Sequence, residues 1–211
     1  MITLKESLLD DEDILTDTNT PIINWLKANC KITGDYTITE DDIINVKGKV
    51  FVNGDIKEIE VQFGEVTGDF ILSCEKLKSL KGCPQKVGGE FDCSYCDKIT
   101  NLKGGPQKVG GTYNCAHCRK LETLEGAPEE YSAEFFCTDN KKLISLQGAP
   151  KRIKGGFFIS GCIKLKNLIG GPKYVEDDFC CTFCKELESL HSAPKYVGGN
   201  FDCQRCPKLP P

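Results

Sequence analysis

The chain contains little of what most enzymes need. It has two histidines, His117 and His191, one tryptophan and one methionine. It contains no G-x-S-x-G, no phosphate-cradling glycine loop followed by Lys-Ser/Thr, and no H-E-x-x-H. Acidic pairs such as Asp41 and Asp42 are typical of turns rather than of acid–base partners. We therefore expect no enzymatic activity and no cofactor.

Long apolar segments are also missing. No run reaches the roughly 18 apolar residues that a membrane-spanning helix needs. The N-terminal residues have no apolar core of signal-peptide length and soon turn acidic, so we expect a protein that is not secreted. A cytoplasmic location and reduced cysteines are the corresponding expectations.

Charge is distributed unevenly along the chain. Residues 1–67 carry 14 Asp and Glu against 6 Lys and Arg, a net charge of −8, which leaves +4 for the rest because the total is −4. A region this weakly basic argues against nucleic acid as a partner, because phosphate binding needs lysines and arginines clustered on one stripe. Residues 1–19 are acidic and without periodicity, which predicts a flexible tail.

A repeat with a period of 22 residues fills two thirds of the chain. It is marked by Pro84, Pro106, Pro128, Pro150, Pro172 and Pro194. Aligning the copies gives an aromatic column of Phe91, Tyr113, Phe135, Phe157, Phe179 and Phe201. Two residues later comes the first cysteine column, Cys93, Cys115, Cys137, Ile159, Cys181 and Cys203. Three residues further comes the second, Cys96, Cys118, Asn140, Cys162, Cys184 and Cys206.

Positions two apart face the same way in a β-strand. The first two columns therefore predict one short strand per repeat, stacked in register into a parallel sheet over residues 68–211. Glycine pairs such as Gly88-Gly89 precede each strand in most copies, where we expect a turn with positive φ. Residues 20–67 are predicted to form an N-terminal cap, with a short helix from Thr20 to about Lys31 and degenerate first repeats over 32–67.

The column pattern resembles the leucine-rich repeat family, and within it the BspA-like class. The resemblance rests on Phe91-x-Cys93-x-x-Cys96-x-x-Ile99-x-x-Leu102, followed in the next copy by Pro-x-x-Val-Gly-Gly-x-Tyr. With the helical cap, the chain looks most similar to uncharacterised leucine-rich repeat proteins of tailed bacteriophages and gut bacteria. The resemblance implies an α/β-type repeat solenoid, mostly strand and loop, acting in the host cytoplasm if a phage encodes it. Such repeats serve many binding tasks, so the resemblance indicates fold rather than function.

The cysteines leave more than one interpretation open. Cys93-x-x-Cys96 and Cys115-x-x-Cys118 are separated by 18 residues, a spacing typical of a zinc ribbon. The same two columns hold Ile159 and Asn140, however, and isoleucine cannot bind a metal. We therefore interpret the columns as core-forming thiols without a metal, with zinc at one or two sites and redox chemistry as alternatives. Cys180 lies outside both columns and is expected to face outward and to react first.

The residues expected on the outer face of the sheet vary, unlike the core columns. This face is predicted to bind a protein because an aromatic centre with a polar rim is typical of binding hot spots. The candidate residues are Asp92, Tyr95, Asn114, His117, Phe136, Asp139, Phe158, Cys180, Phe183 and Asp202. The alternative is a structural role, either in aromatic pairs within the sheet or in self-assembly, as a homodimer or a virion component. A homodimer could form through this aromatic face or through the C-terminal end, where Phe201, Cys203 and Leu209 are expected to be partly open.

Overall fold

The structure, a computed structural model, describes residues 2–4, 20–131 and 133–210. Over residues 43–210 the chain winds as a parallel β-solenoid, with corresponding strand positions of the regular array 22 residues apart. The solenoid and the short N-terminal helix confirm the fold class predicted from the repeat. Among the described residues, no helix is long and apolar enough to cross a membrane.

The N-terminal helix α1 spans Thr20–Asn29 and packs on the core through Ile23 and Leu26, which are both buried. It ends slightly before the predicted boundary because strand β2 begins directly at Cys30. Of the segment expected to be a flexible tail, Ile2–Leu4 form strand β1, which pairs antiparallel with β2. The rest of that segment lies outside the described residues.

The first turn of the solenoid is a long hairpin. Strands β2 (Cys30–Ile38) and β3 (Ile43–Asn53) pair antiparallel. The beginning of β3 then pairs in parallel with β4 (Gln62–Val66), and its end pairs in parallel with β5 (Phe70–Ser73). One long strand therefore starts both columns of short strands that follow.

Each later turn contributes two short strands. The main column continues from β5 through β7 (Phe91–Asp92), β9 (Tyr113–Asn114), β11 (Phe135–Phe136), β13 (Phe157–Phe158), β15 (Phe179–Cys180) and β17 (Phe201–Asp202). The second column contains β6 (Lys86–Val87), β8 (Lys108–Val109), β10 (Glu130–Tyr131), β12 (Arg152–Ile153), β14 (Tyr174–Val175) and β16 (Tyr196–Val197). The sequence predicted one strand per repeat, and the structure adds the second because the backbone after each proline also pairs between turns, as in Gly110 N–H to Val87 C=O at 2.9 Å.

The second column is interrupted in the middle. Strands β4, β6 and β8 join the main sheet through β3, whereas β10, β12, β14 and β16 form a separate sheet. Tyr131 occupies the column that holds Val87 and Val109 in the preceding turns, and its hydroxyl donates to the Gly111 carbonyl. A side chain much larger than valine at this position explains why the strands part here.

The core is a stack of aromatic rings and thiols. The aromatic column is fully buried from Phe91 to Phe179, and successive rings lie 4.9 to 5.8 Å apart between centroids. At these separations each ring contacts the ring of the next turn, so the turns bury one another's apolar surface.

The glycine pairs do not have the positive φ expected for them. A Cβ on Gly88 would overlap the Thr67 carbonyl oxygen, and one on Gly110 would overlap the Gly88 carbonyl oxygen. Close approach between turns, rather than a left-handed backbone, thus requires glycine there. Positive φ occurs instead two residues before the prolines, at Gly82, Gly104, Gly126, Gly148 and Gly170.

Candidate protein-binding face

The main sheet exposes a continuous column of side chains on its outer side. We use the name sheet face for this column and the turns that directly follow its strands. Asp92, Asn114, Phe136, Phe158, Cys180 and Asp202 pair in register from β7 to β17, and all six are half-buried. Tyr95, His117, Asp139 and Phe183 lie three residues further along in their turns. The structure therefore places six of the ten candidates on the strands and the other four in the turns that follow, with each set stacked turn upon turn.

Polar residues of the column cap the turns that follow them. The carboxylate of Asp92 accepts from the Ser94 N–H at 2.7 Å, and that of Asp202 accepts from the Gln204 N–H at 3.0 Å. Asn114 uses its side-chain oxygen in the same way and donates its amide to Asp92 at 3.1 Å. Short side chains that bond to a backbone N–H two residues on are typical of such turns, so this column has a structural role in its polar copies.

The central aromatic pair also has a structural contribution. The rings of Phe136 and Phe158 stack with centroids 4.7 Å apart and planes 12° apart. The Phe158 ring lies over Gly156, where a Cβ would fall 2.5 Å from its Cε2. Because both side chains are half-buried, they stabilise the sheet and still present one side to solvent.

The turn after each main strand places one residue in the left-handed region. The column comprises Tyr95, His117, Asp139, Gly161, Phe183 and Arg205, with φ between 57° and 73°. Only one of the six is glycine, although a side chain in this conformation costs about 1–2 kcal/mol. The backbone N–H of each of the first five donates to the next turn, as in His117 N–H to Thr138 C=O at 2.9 Å.

The side chains on these left-handed positions are held in place by one another. The Tyr95 and His117 rings stack at 4.7 Å, and Tyr95 is 57% exposed. Phe183 is 47% exposed, and the guanidinium carbon of Arg205 lies 5.0 Å from its ring centroid. Sequence reasoning missed the backbone conformation of this column, for which Gly161 was the sole signal.

Cys180 lies on this face, half-buried between two hydroxyl groups. Its sulfur is 3.1 Å from Ser160 Oγ, and the Thr182 hydroxyl donates to Ser160 at 2.9 Å. The other partly exposed cysteines are Cys30 and Cys203.

The two cysteine columns are almost entirely buried, and the second column has a hydrogen-bonding role. The thiols of Cys118, Cys162 and Cys206 donate to the carbonyl oxygens of residues 93, 137 and 181 at 3.1 to 3.3 Å. Each carbonyl belongs to the first cysteine column of the preceding turn, and the thiol satisfies it inside the core.

Asn140 performs the same task with an amide. Its nitrogen donates to the carbonyl oxygens of Cys115 and Cys137 at 3.0 Å each, and its oxygen accepts from the Cys118 N–H at 2.8 Å. It is completely buried, and these bonds use its polar atoms fully.

Burial raises the pKa of several thiols in these columns well above the usual range, as at Cys93, Cys137 and Cys162. A protonated thiol is a poor metal ligand and a poor nucleophile. Within the described ranges, no three His, Cys, Asp or Glu residues are arranged to hold a metal ion.

The last described turn is more open than those before it. Phe201 is 39% exposed, whereas the equivalent Phe179 is fully buried. Cys203 and Leu209, which were also expected to be partly open, are half-buried.

No protein-family model, curated protein or solved structure matches this chain. The fold defines a parallel β-solenoid with two strand columns, and the kinship with leucine-rich repeat proteins stays a prediction.

Proposed function

We propose that this solenoid is a non-enzymatic scaffold that binds a partner protein through the sheet face. The observation that carries the proposal is the left-handed column, where five of six turns retain a side chain at a position that favours glycine. At about 1–2 kcal/mol each, such strain tends to be retained where the side chain has a use. Two of these side chains, Tyr95 and Phe183, are the exposed aromatics of the face.

The composition of the face supports protein recognition. Half-buried Phe136 and Phe158 lie at its centre, and polar side chains such as Asp92 and Asp202 lie toward its ends. Aromatic residues presented on a rigid sheet lose little conformational entropy on binding, which is why they are enriched in hot spots.

Affinity capture with three forms of the full chain tests this proposal. Tyr95→Ala/Phe183→Ala removes exposed rings from the sheet face, and Tyr174→Ala/Tyr196→Ala removes exposed rings from the second sheet as a matched control. We expect the wild type and the control to retain one specific partner that the sheet-face variant loses. Equal capture by all three folded forms would refute the sheet face as the binding surface.

Self-assembly is the second candidate, and the exposure of Phe201 and Tyr196 in the last described turn favours it. Light scattering across a concentration series distinguishes the two candidates. A stable dimer that Phe201→Asp converts to monomer would replace the scaffold proposal.

A further inference from the structure

The sheet face carries many carboxylates in addition to its aromatic rings. Glu90, Asp92, Glu134, Asp178 and Asp202 all lie on or directly before the main strands, and no cation approaches any of them within ion-pair distance among the described residues. Burial, together with the nearby carboxylates of Asp92 and Asp69, raises the pKa of Glu90. These five positions, which are distributed along the length of the face, thus carry negative charge that no cation of the described residues pairs with.

Cations of the chain itself occupy both ends of this face. At the N-terminal end, Lys49 pairs with Asp69 at 2.8 Å. At the other end, the guanidinium of Arg205 covers the Phe183 ring. The face therefore already takes a lysine on a carboxylate and an arginine on an aromatic ring. Between these two ends Asp139 pairs with Lys141. Among the described residues, the other carboxylates there and the rings of Phe136 and Phe158 have no such cation.

We propose that the partner inserts a basic, arginine-rich segment along this face, with guanidinium groups on the carboxylates and over the rings. The inference rests on the proposed function and names the chemistry of its partner. Arginine fits better than lysine because its planar guanidinium bonds two carboxylate oxygens at once and stacks on aromatic faces.

Fluorescence anisotropy with labelled oligo-arginine and with oligo-lysine of the same length tests the inference on the full chain. Asp92→Asn/Asp178→Asn/Asp202→Asn removes three charges while keeping the turn-capping bonds, since Asn114 and Asn200 occupy the same columns in other turns. We expect oligo-arginine to bind more tightly than oligo-lysine, and this variant to weaken binding about tenfold, which corresponds to about 1.4 kcal/mol for the three charges together.

The matched control removes three exposed carboxylates from loops elsewhere, as Glu58→Gln/Glu122→Gln/Glu129→Gln. It changes the net charge by the same amount, and we expect it to leave the affinity unchanged. Equal weakening by both triple variants would show that only overall charge matters and would overturn the inference.

The aromatic contribution has a test of its own. Tyr95→Leu/Phe183→Leu should reduce the preference for oligo-arginine over oligo-lysine, because leucine retains apolar contact but not the ring. An unchanged preference for arginine would contradict the cation–π part of the inference.

The experiments separate this inference from the proposed function. If oligo-arginine fails to bind while affinity capture still depends on Tyr95 and Phe183, the partner chemistry is wrong and the scaffold proposal holds. If the free chain self-associates and the three asparagine substitutions abolish this self-association, the occupant is another copy of the chain, which would also overturn the inference.

Discussion

The buried thiols make the protein sensitive to alkaline pH, and the size of the effect can be worked from the structure. Eight thiols are completely buried and have a pKa raised above the ordinary value of 9.0, namely Cys83, Cys93, Cys96, Cys115, Cys137, Cys162, Cys181 and Cys184. Desolvation is the main cause in each case. These groups stay protonated in the folded state while the same groups ionise in the unfolded chain.

A folded-state pKa above the unfolded one gives stability that is fully present below pH 9 and is lost as the pH rises through and beyond it. At pH 10 each thiol that ionises only in the unfolded chain lowers the free energy of unfolding by about 1.4 kcal/mol. Eight such thiols lower it by about 11 kcal/mol relative to neutral pH, which is comparable with the whole stability of a typical domain.

Urea unfolding followed by circular dichroism in a reducing buffer, between pH 8 and pH 10, measures this loss. Cys93→Ala/Cys115→Ala should lower the stability at pH 8 but remove about a quarter of the pH dependence, because two of the eight thiols are gone. The difference between the wild type and the variant in the slope of unfolding free energy against pH is due to the two thiols, because lysines that titrate in the same range contribute equally to both. A free energy of unfolding that does not change up to pH 10 would refute the reasoning, because thiolates bound in the folded state would give that result.

Three further changes test single features of the core. Tyr113→Phe should raise the free energy of unfolding by about 1 kcal/mol, since the buried Tyr113 hydroxyl has no hydrogen-bond partner among the described residues. Asn140→Ala should lower it by about 2–4 kcal/mol because two carbonyl oxygens and one N–H lose their partner, and Asn140→Cys should lower it by less because a thiol still donates. Gly110→Ala should lower it by about 1–3 kcal/mol through overlap with the Gly88 carbonyl. Chemical denaturation at pH 7 measures all three.

The repeat supplies the controls for these changes. Tyr131→Phe removes a hydroxyl that does have an acceptor, so it should destabilise where Tyr113→Phe stabilises. A stabilisation by both would mean that hydroxyl burial is penalised regardless of its partner. Gly54→Ala is the control for Gly110→Ala, because a Cβ added at Gly54 overlaps no neighbouring atom. The positive φ of Gly54 still adds a backbone strain cost to this substitution. If Asn140→Ala costs no more than Asn140→Cys, the side-chain bonds to the carbonyls do not stabilise the fold.

The period of the repeat and the burial of its columns could be read from sequence because each turn meets the same neighbours. A position such as Phe91 has the next copy of itself above and below, so a constant residue type in a column indicates a constant environment. The candidates on the strands, such as Asp92 and Phe136, could be placed on the outer side for the same reason, since alternate positions of a strand face opposite sides. The candidates in the following turns could not be placed in this way, because the alternation ends with the strand.

Other features depend on how one turn lies against the next. Whether a glycine is needed for its φ or for its lack of a Cβ depends on the distance to the neighbouring backbone. The sequence does not show this distance, which explains why the positive φ predicted for Gly88 and Gly89 was wrong. The interruption of the second strand column between β8 and β10 likewise depends on the space available at the position where Tyr131 replaces the valine of earlier turns.

The sequence by itself therefore determined the solenoid, its core columns and the strand residues of the outer side, because these follow from periodicity alone. The tertiary structure alone decided the second strand column and the left-handed turns that hold Tyr95 and Phe183. It also decided which carboxylates have a cation beside them, as Asp139 does and Asp92 does not among the described residues. These features arise from contacts between residues that are 20 or more positions apart, as in the 22-residue step from Asn114 to Asp92, and no local pattern specifies such contacts.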